Sequence, residues 1–160
     1  MELEIDVEHW PDGEWHALAS RAADAAARVE PALANARLEA SILFTSDAQV
    51  HELNRDWREK DKPTNVLSFP MLERDELLDL APDGPPMLLG DIALAYETCA
   101  REAAEKGIAL EAHAAHLVVH GLLHLAGLDH EISPEDAQEM EALEVKALAN
   151  LGLPDPYGEA

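Results

Sequence analysis

Three histidines in one short segment are the residues of this chain best suited to chemistry. The segment reads His120-Gly-Leu-Leu-His124-Leu-Ala-Gly-Leu-Asp-His130. His120 and His124 are four residues apart, so on a helix both imidazoles lie on one face and can bind one metal ion. His130 can join them where the chain turns back, and Gly127 stands where a helix end favours the left-handed conformation. The spacing therefore predicts a catalytic metal site with these three histidines as ligands.

A straight helix cannot supply all three ligands. His116 also lies four residues before His120, but it is eight residues from His124, about 12 Å along a helix. Zinc binds imidazole nitrogen at about 2.1 Å, so such a row is too long for one ion. We therefore expect His116 to be a hydrogen-bonded core residue or to support a ligand imidazole. Asp129 has three open roles: it can cap the turn, orient a ligand imidazole or lie in solvent.

The ligand spacing and the position of the glycine match those of the metzincin zinc peptidases. In that motif a glutamate directly follows the first histidine and acts as the general base of peptide hydrolysis, whereas this chain has Gly121. A bound zinc ion would still lower the pKa of its water to about 7. The segment therefore predicts a zinc site without the peptidase base. A metallopeptidase remains an alternative only if Asp91, or a carboxylate of the 73–79 segment, replaces that base.

Length and composition predict one domain covering residues 1–160. The single cysteine, Cys99, excludes an internal disulfide and fits a reducing cytoplasm. The first residues are acidic and lack the apolar run of a secretory signal. The most apolar stretch, residues 117–128, is interrupted by two of the histidines and is too short to span a bilayer. We therefore expect a cytoplasmic protein without a membrane partner.

The net charge of −22 argues against a protein that grips nucleic acid through a broad basic surface. Yet four of the eleven lysines and arginines fall within eight residues, namely Arg55, Arg58, Lys60 and Lys62. Interleaved acids leave this segment with a net charge of only +1. Two interpretations follow: a helix end laced with salt bridges, or a local clamp for phosphate beside a metal dication.

The pattern of apolar residues predicts alternating strands and helices. The predicted strands cover residues 2–7, 38–45, 63–69 and 88–95, and the predicted helices cover residues 14–29, 47–58, 96–106 and 110–126, with a last helix from Ser133. Ser46 or Asp47 is predicted to cap the second helix, and Ser133 the last. Residues 71–86 are predicted as a loop that is either a lid or disordered, and residues 153–160 as a tail. In the second helix, Val50, Leu53 and Trp57 are predicted to face inward.

The helix that carries His120 and His124 is apolar on nearly all sides, so it should lie deep in the domain. Its neighbours in sequence do not alternate in a strict strand–helix–strand order. We therefore predict an α+β fold, a small mixed sheet of about four strands flanked by about five helices, with the metal site on a central buried helix.

Two blocks of this sequence resemble the signatures of the bacterial YbeY endoribonucleases. The first block covers residues 53–70 and reads LNRDWREKDKPTNVLSFP, and the second is the histidine segment of residues 120–130. Leu89-Gly-Asp-Ile92 lies between them in the same order and is also similar. Two positions depart from the family pattern: Leu128 stands where tyrosine is frequent, and Asn65 where aspartate often occurs.

The resemblance implies a zincin-like, zinc-dependent endoribonuclease that is specific for single strands. It implies action in maturation of the 3′ end of small-subunit ribosomal RNA and in ribosome quality control. The implied partners are single-stranded RNA, the small ribosomal subunit and its assembly proteins. Carried over from the family, His120, His124 and His130 would bind one Zn²⁺, and Arg58 would be the basic residue at the active site. If the charge cluster is a phosphate clamp, Lys60 and Lys62 would help Arg58 to bind RNA. A non-catalytic assembly factor with a structural zinc remains an alternative.

The predicted mechanism joins the metal to Arg58. Zinc would lower the pKa of its water and withdraw charge from a phosphoryl oxygen, while Arg58 would hold the scissile phosphate. Both zinc hydroxide and the ribose 2′-OH remain open as the nucleophile. Trp10, Trp15 and Trp57 are the candidate stacking platforms for bases, but core packing is the predicted role of each. We therefore expect partner proteins or the ribosome to deliver the RNA.

Overall fold

A four-stranded mixed sheet lies at the centre of the part of the chain that the structure describes. In this computed structural model, which describes residues 1–60, 64–128 and 133–157, the strands are β1 (Glu2–Val7), β2 (Leu38–Thr45), β3 (Val66–Pro70) and β4 (Met87–Ala95). Their order is β1-β2-β4-β3. The first three of these pair in parallel, and β3 runs antiparallel to β4 at the edge. The predicted mixed sheet of about four strands is confirmed.

Within those ranges the structure contains six α-helices, one more than predicted. They are α1 (Trp15–Val29), α2 (Asp47–Arg58), α3 (Arg74–Leu78), α4 (Tyr96–Lys106), α5 (Leu110–Leu125) and α6 (Pro134–Asn150). Two predicted caps are confirmed: the Ser46 hydroxyl accepts from the Gln49 backbone N–H at 3.2 Å, and the Ser133 hydroxyl accepts from that of Asp136 at 3.1 Å.

The additional helix, α3, corrects the prediction of an unstructured loop or lid over residues 71–86. Glu73 and Glu76 form a capping box, in which each side chain accepts a hydrogen bond from the backbone N–H of the other. Leu77 is buried, and Leu72 and Leu80 pack against the main core. Local capping and these apolar contacts therefore give this segment a defined structure.

The inner face of the sheet supports α5. Ile42 and Phe44 of β2 and Ile92 and Leu94 of β4 alternate onto this face and are almost fully buried. They join one core cluster with the apolar residues of α1, α5 and α6. The prediction that α5 lies deep in the fold is confirmed.

The outer face of the sheet is covered by α2 only in part. Val50 of α2 is buried there against Leu67 of β3 and Ala93 of β4. Trp57 lies two turns farther along the helix and borders a groove of about 480 Å³, where no described element covers it. Its side chain is 74% exposed, so the prediction that Trp57 packs in the core is wrong. The same prediction is confirmed for Trp10 and Trp15, which are buried; the ring of Trp10 contacts those of Trp15 and Phe44 edge-on within the core.

None of the described helices is by itself long and apolar enough to cross a bilayer. The pair α4 and α5 reaches the required length and composition together, with a bend of 115° between them.

Candidate metal centre

His120 and His124 are the two positions at which the buried part of helix α5, residues 113–125, opens to solvent. Every other residue from His113 to Ala126 is buried, whereas these two histidines are partly exposed. They lie one turn apart on the same face, as the sequence predicted. Beyond its first turn, α5 is therefore enclosed by protein except where these two imidazoles lie side by side and reach solvent.

Each of these imidazoles has its Nδ1 atom engaged by a side chain from another element. Nδ1 of His120 lies 2.9 Å from Oε1 of Glu144, which belongs to α6. Nδ1 of His124 lies 2.6 Å from the hydroxyl oxygen of Ser68, which belongs to β3. Metal-binding histidines usually use one ring nitrogen for such a contact and the other for the ion. This donor set fits a zinc ion bound through the two Nε2 atoms.

Glu144 is a carboxylate buried in the core, with 1% of its side chain exposed. Its Oε1 also accepts a hydrogen bond from Nε2 of His116 at 2.9 Å, and its Oε2 accepts one from the Tyr157 hydroxyl at 2.8 Å. Burial would raise the pKa of Glu144, but hydrogen bonds from the two histidines outweigh burial and lower it to about 2. Glu144 is therefore ionised at neutral pH and can only accept hydrogen bonds.

The sequence did not identify Glu144, Tyr157 or Ser68 as site residues. Glu144 stands on the apolar face of α6 between the buried Met140 and Leu148, and an acid at such a position is a detectable signal. Tyr157 lies in the segment that was predicted as a tail. Burial and the charge of Glu144 raise the pKa of its hydroxyl far above the usual value, so it stays protonated as a donor.

The edge strand β3 places Ser68 beside His124. Ser68 is opposite Ile92 in the β3–β4 ladder, on the face covered by α5, whereas its neighbours Leu67 and Phe69 point to the outer face. A side-chain network holds the start of this strand: the Asn65 amide donates to Glu102 of α4 at 3.0 Å, and Nε2 of His113 on α5 lies 2.9 Å from the same oxygen. An aspartate, frequent at position 65 in the family pattern, could not donate in this way.

The buried His113 predicts a pH dependence of folding. Burial lowers its pKa below the usual value, despite the opposing hydrogen bond with Glu102. The folded state therefore holds it neutral, while the unfolded chain binds a proton below about pH 6.5. The free energy of unfolding should fall as the pH drops below that value, with His113 contributing at most about 1.4 kcal/mol per pH unit.

The variant His113→Gln keeps a donor for Glu102 and removes the titrating group. Urea unfolding at a series of pH values between about 7 and 5.5 should give this variant a shallower decline in stability than the wild type. Equal slopes for the two proteins would contradict the assignment of a neutral buried imidazole to His113.

The turn after α5 has the predicted left-handed glycine. Gly127 has a φ of +92°, and a Cβ atom there would lie 2.7 Å from Cβ of Arg74. Arg74, the first residue of α3, donates to the Ala126 carbonyl at 2.9 Å and pairs with Glu30 at 3.2 Å. Helix α3, which was not predicted from the sequence, therefore covers the C-terminal end of α5.

Position 121, where the peptidase motif has its glutamate, leaves little room for a side chain. A Cβ atom at position 121 would lie 2.9 Å from Cδ1 of the buried Ile92, so this position faces the sheet. Two of the other bases considered for a peptidase have different surroundings. Asp91 borders the groove on the outer face, and Glu73 is held in the capping box of α3.

Three of the four basic residues of the 55–62 segment lie within the described part of the chain. Arg58, the last residue of α2, and Lys60 are exposed, and the described structure gives Arg58 no hydrogen bond or ion pair. Arg55 pairs with the neighbouring Asp56 at 3.1 Å, as the salt-bridge interpretation predicted. Because α2 covers the outer face and α5 the inner face, the structure does not bring Arg58 into contact with His120.

Three predicted site residues, Lys62, Asp129 and His130, lie outside the described residues. Over residues 1–60, 64–128 and 133–157, no group of three or more His, Cys, Asp or Glu side chains is arranged to hold a metal ion. The described structure thus contains two of the three predicted ligands, together with the side chains that contact them. His130 stays a prediction.

Comparison with known proteins gives the same family for nearly the whole chain. Residues 3–152 match the family model described as Endoribonuclease YbeY. Endoribonuclease YbeY of Erythrobacter litoralis is 72% identical, over 99% of this chain and 99% of the relative. Endoribonuclease YbeY of Novosphingobium aromaticivorans is 58% identical, over 97% of this chain and 95% of the relative.

A solved structure shares the fold. The solution structure of TM1509 from Thermotoga maritima has a TM-score of 0.61 and 23% identity, over 98% of this chain and 99% of that one. Given the match of the family model and the identity of these relatives, the chain belongs to the YbeY family of endoribonucleases.

Proposed function

We propose that this chain is a zinc-dependent endoribonuclease that cleaves single-stranded RNA. The observation that carries the proposal is the pair His120 and His124, which open from a buried helix with each Nδ1 engaged by another side chain. Nε2 of each ring, with His130 as the third ligand, would hold one Zn²⁺. An ion with three protein ligands keeps a coordination position for water or substrate, which is typical of catalytic rather than structural zinc.

Different residues of the chain would have separate roles at the scissile phosphate of the RNA. Zinc, when bound, would supply a Lewis acid that activates a nucleophile and polarises a phosphoryl oxygen. Arg58, exposed and always charged, would hold the scissile phosphate, with Lys60 and Lys62 extending the contact along the RNA. Asp129 would orient a ligand imidazole or cap its turn, and Glu144 joins His116 to His120.

The proposed substrate in the cell is small-subunit ribosomal RNA at its 3′ end, within maturation and quality control of the ribosome. Membership of the YbeY family fits rRNA processing. The net charge of −22 argues for delivery of RNA by the small subunit or its assembly proteins rather than by a broad basic surface. A cytoplasmic location is proposed as well, since Cys99 is buried and has no second cysteine to pair with.

The proposal is tested by cleavage of a single-stranded RNA and the same RNA annealed to its complement. We expect purified protein to contain about one zinc per chain and to cut the single strand. A chelator should abolish cleavage, and added zinc should restore it. The ends of the products identify the nucleophile: a 5′-phosphate indicates water, and a 2′,3′-cyclic phosphate indicates the ribose 2′-OH.

Arg58→Ala tests the phosphate contact separately from the metal. It should cut RNA at least about a hundredfold more slowly, in line with the loss of one group that stabilises transition-state charge, and should keep its zinc. Arg101→Ala on α4 is the matched control, because Arg101 is an exposed arginine remote from the sequence block of Arg58. Zinc-loaded wild type that cuts no RNA even with ribosomes present would favour the structural-zinc assembly factor.

A further inference from the structure

The carboxylate of Glu144 is unusual in its surroundings. It is 1% exposed, and over the described residues no lysine or arginine pairs with it. Three donors contact it instead: His116 and His120 at Oε1, and Tyr157 at Oε2. A buried charge is costly unless hydrogen bonds satisfy it, and here three donors satisfy the carboxylate. In return, the carboxylate fixes the orientation of those three side chains.

We infer that Glu144 is a positioning residue that fixes His120 as the Nδ1–H tautomer and so directs the lone pair of Nε2 toward the metal. An ionised carboxylate has no hydrogen to donate, so the ring nitrogen facing it must carry the hydrogen. A neutral imidazole has one such hydrogen, and its other nitrogen is then a ligand. The inference rests on the proposed function, because it assumes that His120 binds a metal.

Tyr157 extends this role to the segment after α6. Its hydroxyl donates to Oε2 of Glu144 at 2.8 Å, and its ring stands perpendicular to that of His116 with centroids 5.5 Å apart. Oε1 is shared by the two histidines, so Tyr157 is the contact that occupies the second oxygen and limits rotation of the carboxylate. The same assignment therefore makes Tyr157 an indirect support of His120.

Zinc affinity, measured by competition with a chelator on the full chain, tests the inference. Glu144→Gln should weaken zinc binding by about 10- to 100-fold, the usual effect of losing a residue that orients a ligand. Tyr157→Phe removes one hydroxyl and should weaken it by about three- to tenfold. The control is Glu102→Gln. Glu102 of α4 contacts His113 of α5 at the same 2.9 Å distance, and a glutamine oxygen there can still accept the Asn65 hydrogen bond that holds the start of β3. This variant should leave affinity unchanged.

A second measurement reports the tautomer directly. Long-range ¹H–¹⁵N correlation spectra of the zinc-free chain should show His120 as the Nδ1–H tautomer in the wild type and in Glu102→Gln. Glu144→Gln should show a mixture, since an amide can both donate and accept. A role for Glu144 in packing alone would not change the tautomer.

The outcomes separate this inference from the proposed function. If the wild type binds zinc and Glu144→Gln binds it equally well, the positioning role is overturned while the metal proposal stands. Equal losses in Glu144→Gln and Glu102→Gln would also overturn it, because they would indicate a general loss of stability. If the wild type binds no zinc, both fail. An unchanged tautomer in folded Glu144→Gln likewise counts against the inference.

Discussion

The variant His124→Ala is expected to lose zinc and to cut RNA at least about a hundredfold more slowly than the wild type. Loss of a side chain that merely orients a ligand already costs about 10- to 100-fold in affinity or activity, and loss of the ligand itself should cost more. His124 is only partly buried, so the fold should persist. Zinc content, cleavage rate and the thermal midpoint should be measured on the same preparation.

Two further variants make this test specific. Ser68→Ala removes the hydroxyl that contacts Nδ1 of His124 and should give a loss intermediate between wild type and His124→Ala. His16→Ala replaces an exposed histidine on α1 and should behave as wild type. Full cleavage activity in folded His124→Ala would refute the zinc mechanism.

The variant Gly90→Ala is expected to lower the free energy of unfolding by about 3 kcal/mol or more. Gly90 has a φ of +152°, which side chains rarely allow, and an added Cβ atom would clash with the Phe69 carbonyl oxygen and lie 2.7 Å from Cδ2 of Leu125. Strain in the backbone and overpacking each cost about 1–3 kcal/mol, and here neither neighbour can move freely. Urea unfolding measures the loss.

Gly107→Ala is the control for the conformation alone. Gly107 also has a positive φ, of +67°, but a Cβ atom there would meet nothing within 4 Å. It should therefore lose only about 1–2 kcal/mol. If the two variants lose equal stability, close packing of β3 and α5 around Gly90 is not the cause. Any movement of β3 would also displace Ser68, so we expect weaker zinc binding in Gly90→Ala.

Sequence patterns predicted what depends on neighbours along the chain. The bounds of β1 and β2, the cap at Ser46 and the shared face of His120 and His124 follow from periods of two and 3.6 residues and from capping chemistry. Helix α3 was not predicted, because a segment of five residues is too short to show the helical periodicity of apolar residues.

What the sequence missed depends on contacts between distant segments. Glu144 is 24 residues from His120, and Ser68 is 56 residues from His124. No periodicity relates such positions, since tertiary packing alone brings α6 and β3 against α5. The error at Trp57 has a similar origin: the helical pattern gave its face correctly, but could not show that the facing sheet surface is left uncovered there.

The apolar support of α5 has a consequence for the life of the protein in the cell. Val118, Val119, Leu122 and Leu123 anchor this helix in the main core, so its position does not depend on an ion. Small zinc domains unfold when they are stripped of metal, whereas this chain should remain intact. Under the proposed zinc mechanism, a fluctuating metal supply would then switch molecules between inactive and active forms without directing the inactive ones to degradation, and RNA cleavage would recover without new protein synthesis.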